Sequence, residues 1–216
     1  MDLITIMKLS KVFITGCDSN TEWMLPWFLD NFRRHSRTEI IIFDFGMTPE
    51  AVRVFGPKPL NSQDKGWFKK PKAMIEGSKL ADQVCWLDTD CNIQGDIDSI
   101  FNYIEPNKLA MVEDVPWSKR RQEKWHNSGV VAFGFKPIIL DEWATAVALN
   151  PQVGDQEVLH TLVREGFRRD IHITDLPRKF NNLRLDLLDG TNDPNPIVMH
   201  WTGAKGKEVI RNMMYE

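Results

Sequence analysis

The chain has 216 residues, of which 42% are hydrophobic and 26% are charged, and its formal net charge is −3 at pH 7. This composition excludes a disordered chain, a collagen-like repeat and a disulfide scaffold, and the length favours a single domain. General nucleic-acid binding is not expected, since no overall positive field attracts phosphates, and no apolar run has the length of a transmembrane helix.

Three cysteines are present, at Cys17, Cys85 and Cys91. Their number is odd and no pair has the close spacing of a zinc site, so they predict neither a disulfide framework nor a zinc finger. Free thiols are typical of a reducing compartment, and we therefore expect a cytoplasmic protein.

The N-terminal part of the chain alternates between strand and helix patterns. Apolar and β-branched runs predict strands at 8–15, 39–45 and 84–87. Caps and apolar stripes predict helices at 22–35, from 48 onward and at 71–81, with a polar loop at 61–70. This alternation favours a mostly parallel sheet covered by helices.

The C-terminal part continues with strands expected at 109–113, 129–135 and 197–200, and with helices expected at 138–149 and 156–165. It contains no internal repeat and no obvious linker, so the whole chain is expected to form one domain.

Two carboxylates, Asp88 and Asp90, follow the third apolar strand, in which Trp86 is expected to be structural. Residues two apart in a strand point to the same side, about 6.6 Å apart. Open α/β sheets bind ligands beyond the carboxyl ends of their strands. Oxygen ligands suit Mg²⁺ or Mn²⁺, so the pair is a candidate metal site. The alternative is that Asp88 and Asp90 merely cap the following turn.

Four lysines cluster around Pro71, at the expected start of a helix: Lys65, Lys69, Lys70 and Lys72. Positive charge is unfavourable at a helix N-terminus, whereas a bound anion would be favourable there. The alternative is a solvated loop whose lysines point away from the helix. Trp67, inside the cluster, is a candidate to stack on a base or sugar, or to anchor the loop.

The last predicted strand ends at His200, and a glycine-containing loop with Lys205 and Lys207 is expected to follow. Neutral imidazole binds divalent transition ions, and glycines allow backbone N–H groups to approach phosphate. A lone histidine is more often structural, but two carboxylates and a basic segment favour ligation here.

Five segments carry a resemblance when they are taken together and in order: FITGCD at 13–18, WLDTD at 86–90, HNSGVVAFG at 126–134, GDQ at 154–156 and HWTG at 200–203. They resemble the metal-dependent glycosyltransferases of the GT-A fold, which carry a DxD motif. The glycogenin and lipopolysaccharide galactosyltransferase type is the most similar, and the resemblance covers nearly the whole chain.

The resemblance implies an α/β fold with a single Rossmann-like, mostly parallel (mixed) sheet flanked by helices. The single domain at 1–216 would have a nucleotide-binding half at about 8–95 and an acceptor half at about 96–207. The implied enzyme is a hexosyltransferase that moves a sugar from a nucleotide-sugar, expected to be a UDP-sugar, to a hydroxyl of a glycan, a lipid-linked sugar or a protein.

The resemblance also assigns site residues. Asp88, Asp90 and His200 would hold Mn²⁺ or Mg²⁺, while Asn127, Asp155 and Gln156 would serve catalysis. The donor would be bound by a larger set that extends along the chain: Thr15, Gly16, Cys17, Asp18, Asn20, Lys70, Lys72, Asp88, Thr89, Ser128, Gly203, Lys205 and Lys207.

Some positions depart from the family pattern. Gly206 stands where the family has a lysine, which leaves Lys205 and Lys207 as alternatives for the diphosphate contact. The family's arginine before the long helix is absent, and Lys70 or Lys72 is the candidate substitute. The base-stacking aromatic residue is also not identified.

Alternatives remain open at this point. Asp155 is a candidate general base if the reaction inverts the anomeric centre, a sugar-binding residue if it retains it, or a plain helix N-cap. A nucleotidyltransferase shares the fold but needs a glycine-rich basic loop where the acidic Gly16-Cys17-Asp18 stands. A haloacid dehalogenase-type phosphatase requires Thr or Val where Asn92 stands, and a non-catalytic sugar-binding module would have lost its metal carboxylates. The chain is also a candidate domain of a larger polypeptide or complex.

Overall fold

A computed structural model describes residues 8–165 and 168–215 of the chain. Its centre is a seven-stranded sheet with the order β3-β2-β1-β4-β7-β6-β8, and a second sheet has the order β5-β10-β9. The strands are β1 Leu9–Cys17, β2 Ile40–Asp44, β3 Lys58–Pro59, β4 Ala81–Leu87, β5 Cys91–Ile93, β6 Leu109–Glu113, β7 His126–Gly134, β8 Ile173–Asp175, β9 Asn182–Leu183 and β10 Val198–His200.

The central sheet is mixed but mostly parallel. β1 pairs in parallel with β2 and with β4, and β6 pairs in parallel with β8. β7 is antiparallel to both of its neighbours, β4 and β6. The expected α/β class with a mostly parallel, mixed sheet is confirmed, and strands from both halves of the sequence enter the same sheet.

Helices cover both faces of the central sheet, and each face has its own apolar core. Phe13 and Cys85 point to one core, whereas Ile14 and Trp86 point to the other, as the alternation of a doubly covered strand requires. The helices are α1 Leu25–His35, α2 Pro49–Phe55, α3 Lys70–Leu80, α4 Val115–Arg121, α5 Ile138–Leu149, α6 Asp155–Arg164, α7 Arg169–His172, α8 Arg184–Leu188 and α9 Gly203–Tyr215.

Helix starts follow local chemistry. Thr48 caps α2 by accepting a hydrogen bond from the N–H of Ala51, and Pro49 occupies the first turn, as the sequence predicts. The helix expected at 22–35 begins instead as a 3₁₀ turn, and its α-helical part starts only at Leu25, with Pro26 in the first turn.

The sequence prediction is wrong at the segment after His200. The glycine-containing loop expected there is the beginning of α9, which starts at Gly203. Gly203 takes a φ of +75°, and Gly206 packs so closely on the Trp201 carbonyl that a Cβ would overlap it. The two glycines therefore allow α9 to begin shortly after the end of β10. The glycines and lysines of this segment, considered as a sequence, predict a loop instead.

Two further boundaries differ. The loop expected at 61–70 contains a 3₁₀ turn at Gly66–Lys69, and α3 begins at Lys70 rather than at Pro71. β7 begins three polar residues earlier than predicted, at His126, because these side chains are buried and hydrogen-bonded. Within the described residues, no helix has the length and apolar character needed to cross a membrane.

Candidate active site

The parallel strands β1, β2 and β4 end at the same edge of the sheet, and the carboxylate pair follows β4 there. The backbone N–H of Asp88 donates to the Gly129 carbonyl on β7 at 2.8 Å, which ties the segment to the next strand. Trp86 lies inside β4 and donates its indole N–H to Asp88 Oδ1 at 2.6 Å. The Asp88 side chain is therefore oriented by the strand that precedes it.

His200 reaches the same carboxylates from the small sheet. β10 pairs with β5 so that His200 lies opposite Cys91, directly after Asp90. His200 Nε2 is 3.0 Å from Asp90 Oδ1 and 3.8 Å from Asp88 Oδ2. Burial lowers the pKa of His200, but the negative charges of Asp90 and Asp88 outweigh it and raise that pKa above its ordinary value. Burial raises the pKa of Asp90, yet the cationic neighbours, His200 first, hold it below its ordinary value.

These residues fit a divalent cation. The ligand atoms of Asp90, Cys91 and His200 lie within 4.8 Å of one another. Cys91 is fully buried, and burial raises the pKa of its thiol well above the ordinary value, which makes it a poorer ligand than the carboxylates and the imidazole. The oxygen and nitrogen atoms of Asp88, Asp90 and His200 remain, and a set of this kind suits a hard or borderline ion.

Lys70, the first residue of α3, is the buried cation of the site. Only 2% of it is exposed, and its Nζ lies 3.0 Å from Asp88 Oδ1 and 3.3 Å from Asp155 Oδ2. It also donates to the backbone carbonyl and the hydroxyl of Ser128, both at 3.2 Å. Burial alone would lower the pKa of Lys70, but the carboxylates of Asp155 and Asp88 raise it above its ordinary value. Lys70 is therefore a permanent positive charge within the site.

Two cavities meet at this cluster. The first, of about 130 Å³, extends from the carboxylates toward the end of β1. The second, of about 300 Å³, opens on the other side, toward β7 and α6. Four residues contribute to the lining of both cavities: Trp67, Lys70, Asp88 and Asp90.

The first cavity contains most of the predicted donor-binding residues. Gly16, Cys17, Asp18, Thr89 and Lys207 line it. Burial, and then the nearby carboxylates of Glu22, Asp18 and Asp44, raise the pKa of Cys17 to about 12. This thiol is therefore neutral in the cavity wall.

Four other predicted donor-binding residues lie elsewhere. Thr15 is fully buried within β1, and Asn20 is exposed, with its N–H donated to Asp18 Oδ1. Lys72 is one-third exposed and pairs with Asp64 at 2.7 Å, and Lys205 is exposed on α9. The sequence leaves two choices open, Lys70 or Lys72 and Lys205 or Lys207. In each pair one lysine lines the first cavity, namely Lys70 and Lys207.

The second cavity contains the three predicted catalytic residues. Asn127 donates to Gln156 Oε1 at 3.0 Å, and the Ser128 hydroxyl donates to Asp155 Oδ2 at 2.8 Å. Gly203 lies at the same cavity. Of the three alternatives for Asp155, the plain N-cap is wrong, because Gly154 occupies the cap position of α6 and donates its N–H to Glu157.

Sequence reasoning missed three residues that contact the site. Asp114, at the end of β6, accepts hydrogen bonds from Asn127 and Gln156. Trp86, expected to be structural, donates to Asp88. Asn181 lies 3.0 Å from His200 Nδ1. Only Asp114 had a local signal, a carboxylate directly after a predicted strand, and Asn181 had none.

No protein-family model matches the sequence, and no characterised relative was found. Solved structures do match. The galactosyltransferase LgtC, determined with donor and acceptor sugar analogues, is 14% identical, with a TM-score of 0.67 and 94% of each chain covered.

Two further glycosyltransferases show the same architecture. GlyE of Streptococcus pneumoniae TIGR4 is 15% identical with a TM-score of 0.65, and the match covers 95% of this chain and 60% of that one. Mouse xyloside xylosyltransferase 1 is 11% identical with a TM-score of 0.57, and the match covers 90% of this chain and 97% of that one. The expected glycosyltransferase (GT-A) fold is thereby confirmed.

Proposed function

We propose that the chain is a metal-dependent glycosyltransferase that takes its sugar from a nucleotide-sugar, a UDP-sugar in the first instance. The observation that carries the proposal is that two cavities meet at one carboxylate pair, with a buried lysine beside it. A nucleotide-sugar has this layout, because its diphosphate lies between the nucleoside and the sugar.

The nucleoside would occupy the first cavity, against the end of β1. Asp18 is an acceptor for base or ribose groups, and Lys207 is a cation that extends from α9 into the same cavity. Trp67 is 61% exposed at the edge that the two cavities share. Its ring offers a stacking surface, one of the two roles for which the sequence makes Trp67 a candidate.

The diphosphate would lie at Asp88, Asp90 and His200, with Mn²⁺ or Mg²⁺ bound by these side chains. When bound, the ion supplies positive charge to the leaving diphosphate. Lys70 and Lys207 add fixed positive charge at the same place, and charges that are already oriented stabilise a developing anion without reorganisation. Removing these groups should therefore slow the chemical step.

The sugar would occupy the second cavity, against Asn127, Ser128, Asp155 and Gln156. Asp155 Oδ2 already accepts from the Ser128 hydroxyl and pairs with Lys70. A proton arriving there would displace both partners, so we assign Asp155 to binding sugar hydroxyls rather than to acting as the general base.

We also propose that 1–216 form one catalytic domain with a nucleotide half at 8–95 and an acceptor half at 96–207, acting in the cytoplasm. The acceptor would present a hydroxyl of a glycan, a lipid-linked sugar or a protein. Nucleotide-sugar synthesis is the weaker candidate, because the first cavity is walled by the acidic Asp18 after β1 rather than by a basic glycine-rich loop. The intact carboxylate pair argues likewise against a non-catalytic module.

Thermal unfolding with a panel of nucleotide-sugars, each with and without Mn²⁺, tests the proposal. A donor at a hundredfold excess over its Kd should stabilise the fold by about 2.7 kcal/mol, which corresponds to about 5–11 °C for a chain of this size. The shift should require Mn²⁺ and should be lost in Asp90→Ala. No metal-dependent shift with any nucleotide-sugar, or an unchanged shift in that variant, would refute the proposal.

A further inference from the structure

A chain of buried hydrogen bonds connects a backbone N–H on β7 to the imidazole of His200. The N–H of Gly129 donates to Asn127 Oδ1 at 2.9 Å. Because a backbone N–H is only a donor, it settles which end of the Asn127 amide is the oxygen. On the other side, the Asp114 carboxylate accepts a hydrogen bond from Asn127 Nδ2 at 3.2 Å, which requires the same orientation of the Asn127 amide.

The next amide is oriented by the first. Asn181 Nδ2 lies 2.9 Å from Asn127 Oδ1, so the Asn181 group that faces Asn127 must be the donor. The Asn181 oxygen then faces His200 Nδ1 at 3.0 Å. An oxygen at this distance accepts a hydrogen bond, so Nδ1 of His200 carries a proton.

The protonation of Nδ1 decides what the other ring nitrogen can do. In neutral imidazole one nitrogen is a donor and the other has a free lone pair. Nε2 lies 3.0 Å from Asp90 Oδ1 and 3.8 Å from Asp88 Oδ2, so without a cation it also donates, to Asp90. With Nδ1–H held by Asn181, Nε2 is the nitrogen that gives up its proton when a cation binds beside these carboxylates. Metal-binding histidines commonly have their second ring N–H held by such an outer partner.

We infer that Asn181 is a positioning residue that fixes the Nδ1–H tautomer of His200, and so prepares Nε2 to bind the divalent cation. The inference rests on the proposed function, since it assumes the metal site at Asp88, Asp90 and His200. Asn181 is 1% exposed, and both ends of its amide are used within this hydrogen-bond chain.

The neighbouring residue provides a matched control. Asn182 is fully buried, and its amide donates to the Arg178 carbonyl and accepts from the N–H of Asp193, away from His200. Asn181→Leu and Asn182→Leu therefore remove equally buried amides from adjacent positions, but only the first removes the acceptor of His200 Nδ1–H.

A second substitution separates the two bonds of Asn181. Asn181→Asp retains an oxygen for His200 Nδ1–H but loses the donor to Asn127. Asn181→Leu loses both bonds. If the His200 contact is the one that matters for the metal, the two variants will differ in Mn²⁺ affinity although both lose the bond to Asn127.

The experiment measures the Kd of Mn²⁺ on the full chain without nucleotide, from the electron paramagnetic resonance signal of free Mn²⁺. We expect Asn181→Leu to weaken binding by about 10- to 100-fold, and Asn181→Asp and Asn182→Leu to bind close to wild type. Equal losses in both Asn181 variants, or equal affinities of Asn181→Leu and Asn182→Leu, would overturn the inference and leave the metal site standing. Absence of Mn²⁺ binding by the wild type would instead overturn the metal site itself.

A second measurement needs no Asn181 variant and uses the wild type with saturating Mg²⁺, which is diamagnetic. In ¹⁵N-labelled wild type with this ion bound, nuclear magnetic resonance identifies which ring nitrogen of His200 keeps its proton. The signal can be assigned by its loss in His200→Gln. A proton on Nδ1 supports the inference, and a proton on Nε2 overturns it.

Discussion

Lys70 offers the sharpest test of the site's electrostatics, because a single ammonium compensates two carboxylates in the interior. The perturbation is Lys70→Met, which retains an unbranched side chain and removes the charge. The hydrogen bonds and ion pairs to Asp88, Asp155 and Ser128 are then lost together.

The expected loss follows from the burial of the partners. Removing one member of a buried ion pair costs about 3–5 kcal/mol, since the other charge is left without compensation. The Asp155 side chain is 10% exposed and that of Asp88 is 25% exposed, so water relieves part of the cost. We expect a loss of about 3 kcal/mol, which corresponds to about 6–12 °C in Tm for a chain of this size.

Urea unfolding at pH 7 measures the change in the free energy of unfolding, and Lys72→Met is the matched control. Lys72 is two residues further along the same helix and pairs with Asp64, but one-third of its side chain is exposed. Its loss should cost no more than about 1 kcal/mol. If Lys70→Met is no more destabilising than Lys72→Met, Lys70 does not hold the two carboxylates as described.

Three further predictions follow from individual residues. A methyl group on Gly129 would overlap the ring of His200, so Gly129→Ala should abolish Mn²⁺ binding in calorimetry; undiminished binding would contradict the packing. Burial lowers the pKa of His160, which stacks on Trp125. The unfolded chain therefore binds more protons than the folded chain, so the free energy of unfolding should fall as the pH drops below about 6.5. Urea unfolding at pH 7.5 and 5.0 should show a smaller acid loss in His160→Phe, and an equal loss would contradict the assignment. The pKa of Cys17 is raised to about 12, so iodoacetamide should label Cys17 slowly at pH 8, and mass spectrometry finding rapid labelling would contradict a neutral buried thiol.

The sequence predicts the parts of this fold that depend on local patterns. The strand at Leu109–Glu113 and the helix at Ile138–Leu149 have the expected bounds, since each combines an apolar run with clear end signals. The carboxylate pair after β4 is likewise visible, because its position depends only on where one strand ends.

Contacts between distant segments could not be predicted in this way. Asn181 is far from His200 along the chain, and the two meet only because β9 and β10 pair. The start of α9 was missed because glycines usually interrupt helices, whereas Gly203 and Gly206 here allow a close turn after β10. A single sequence does not reveal such tertiary approaches.

The central claim is that this chain transfers a sugar from a nucleotide-sugar with the help of a divalent cation. Release of UDP from UDP-sugars, measured with and without Mn²⁺ in wild type and in Asp88→Asn, tests it most directly, because water can serve as a slow acceptor. The account predicts release that requires Mn²⁺, occurs with at least one UDP-sugar and is lost in Asp88→Asn. Release that is independent of Mn²⁺, or that is equal in Asp88→Asn and wild type, would contradict it.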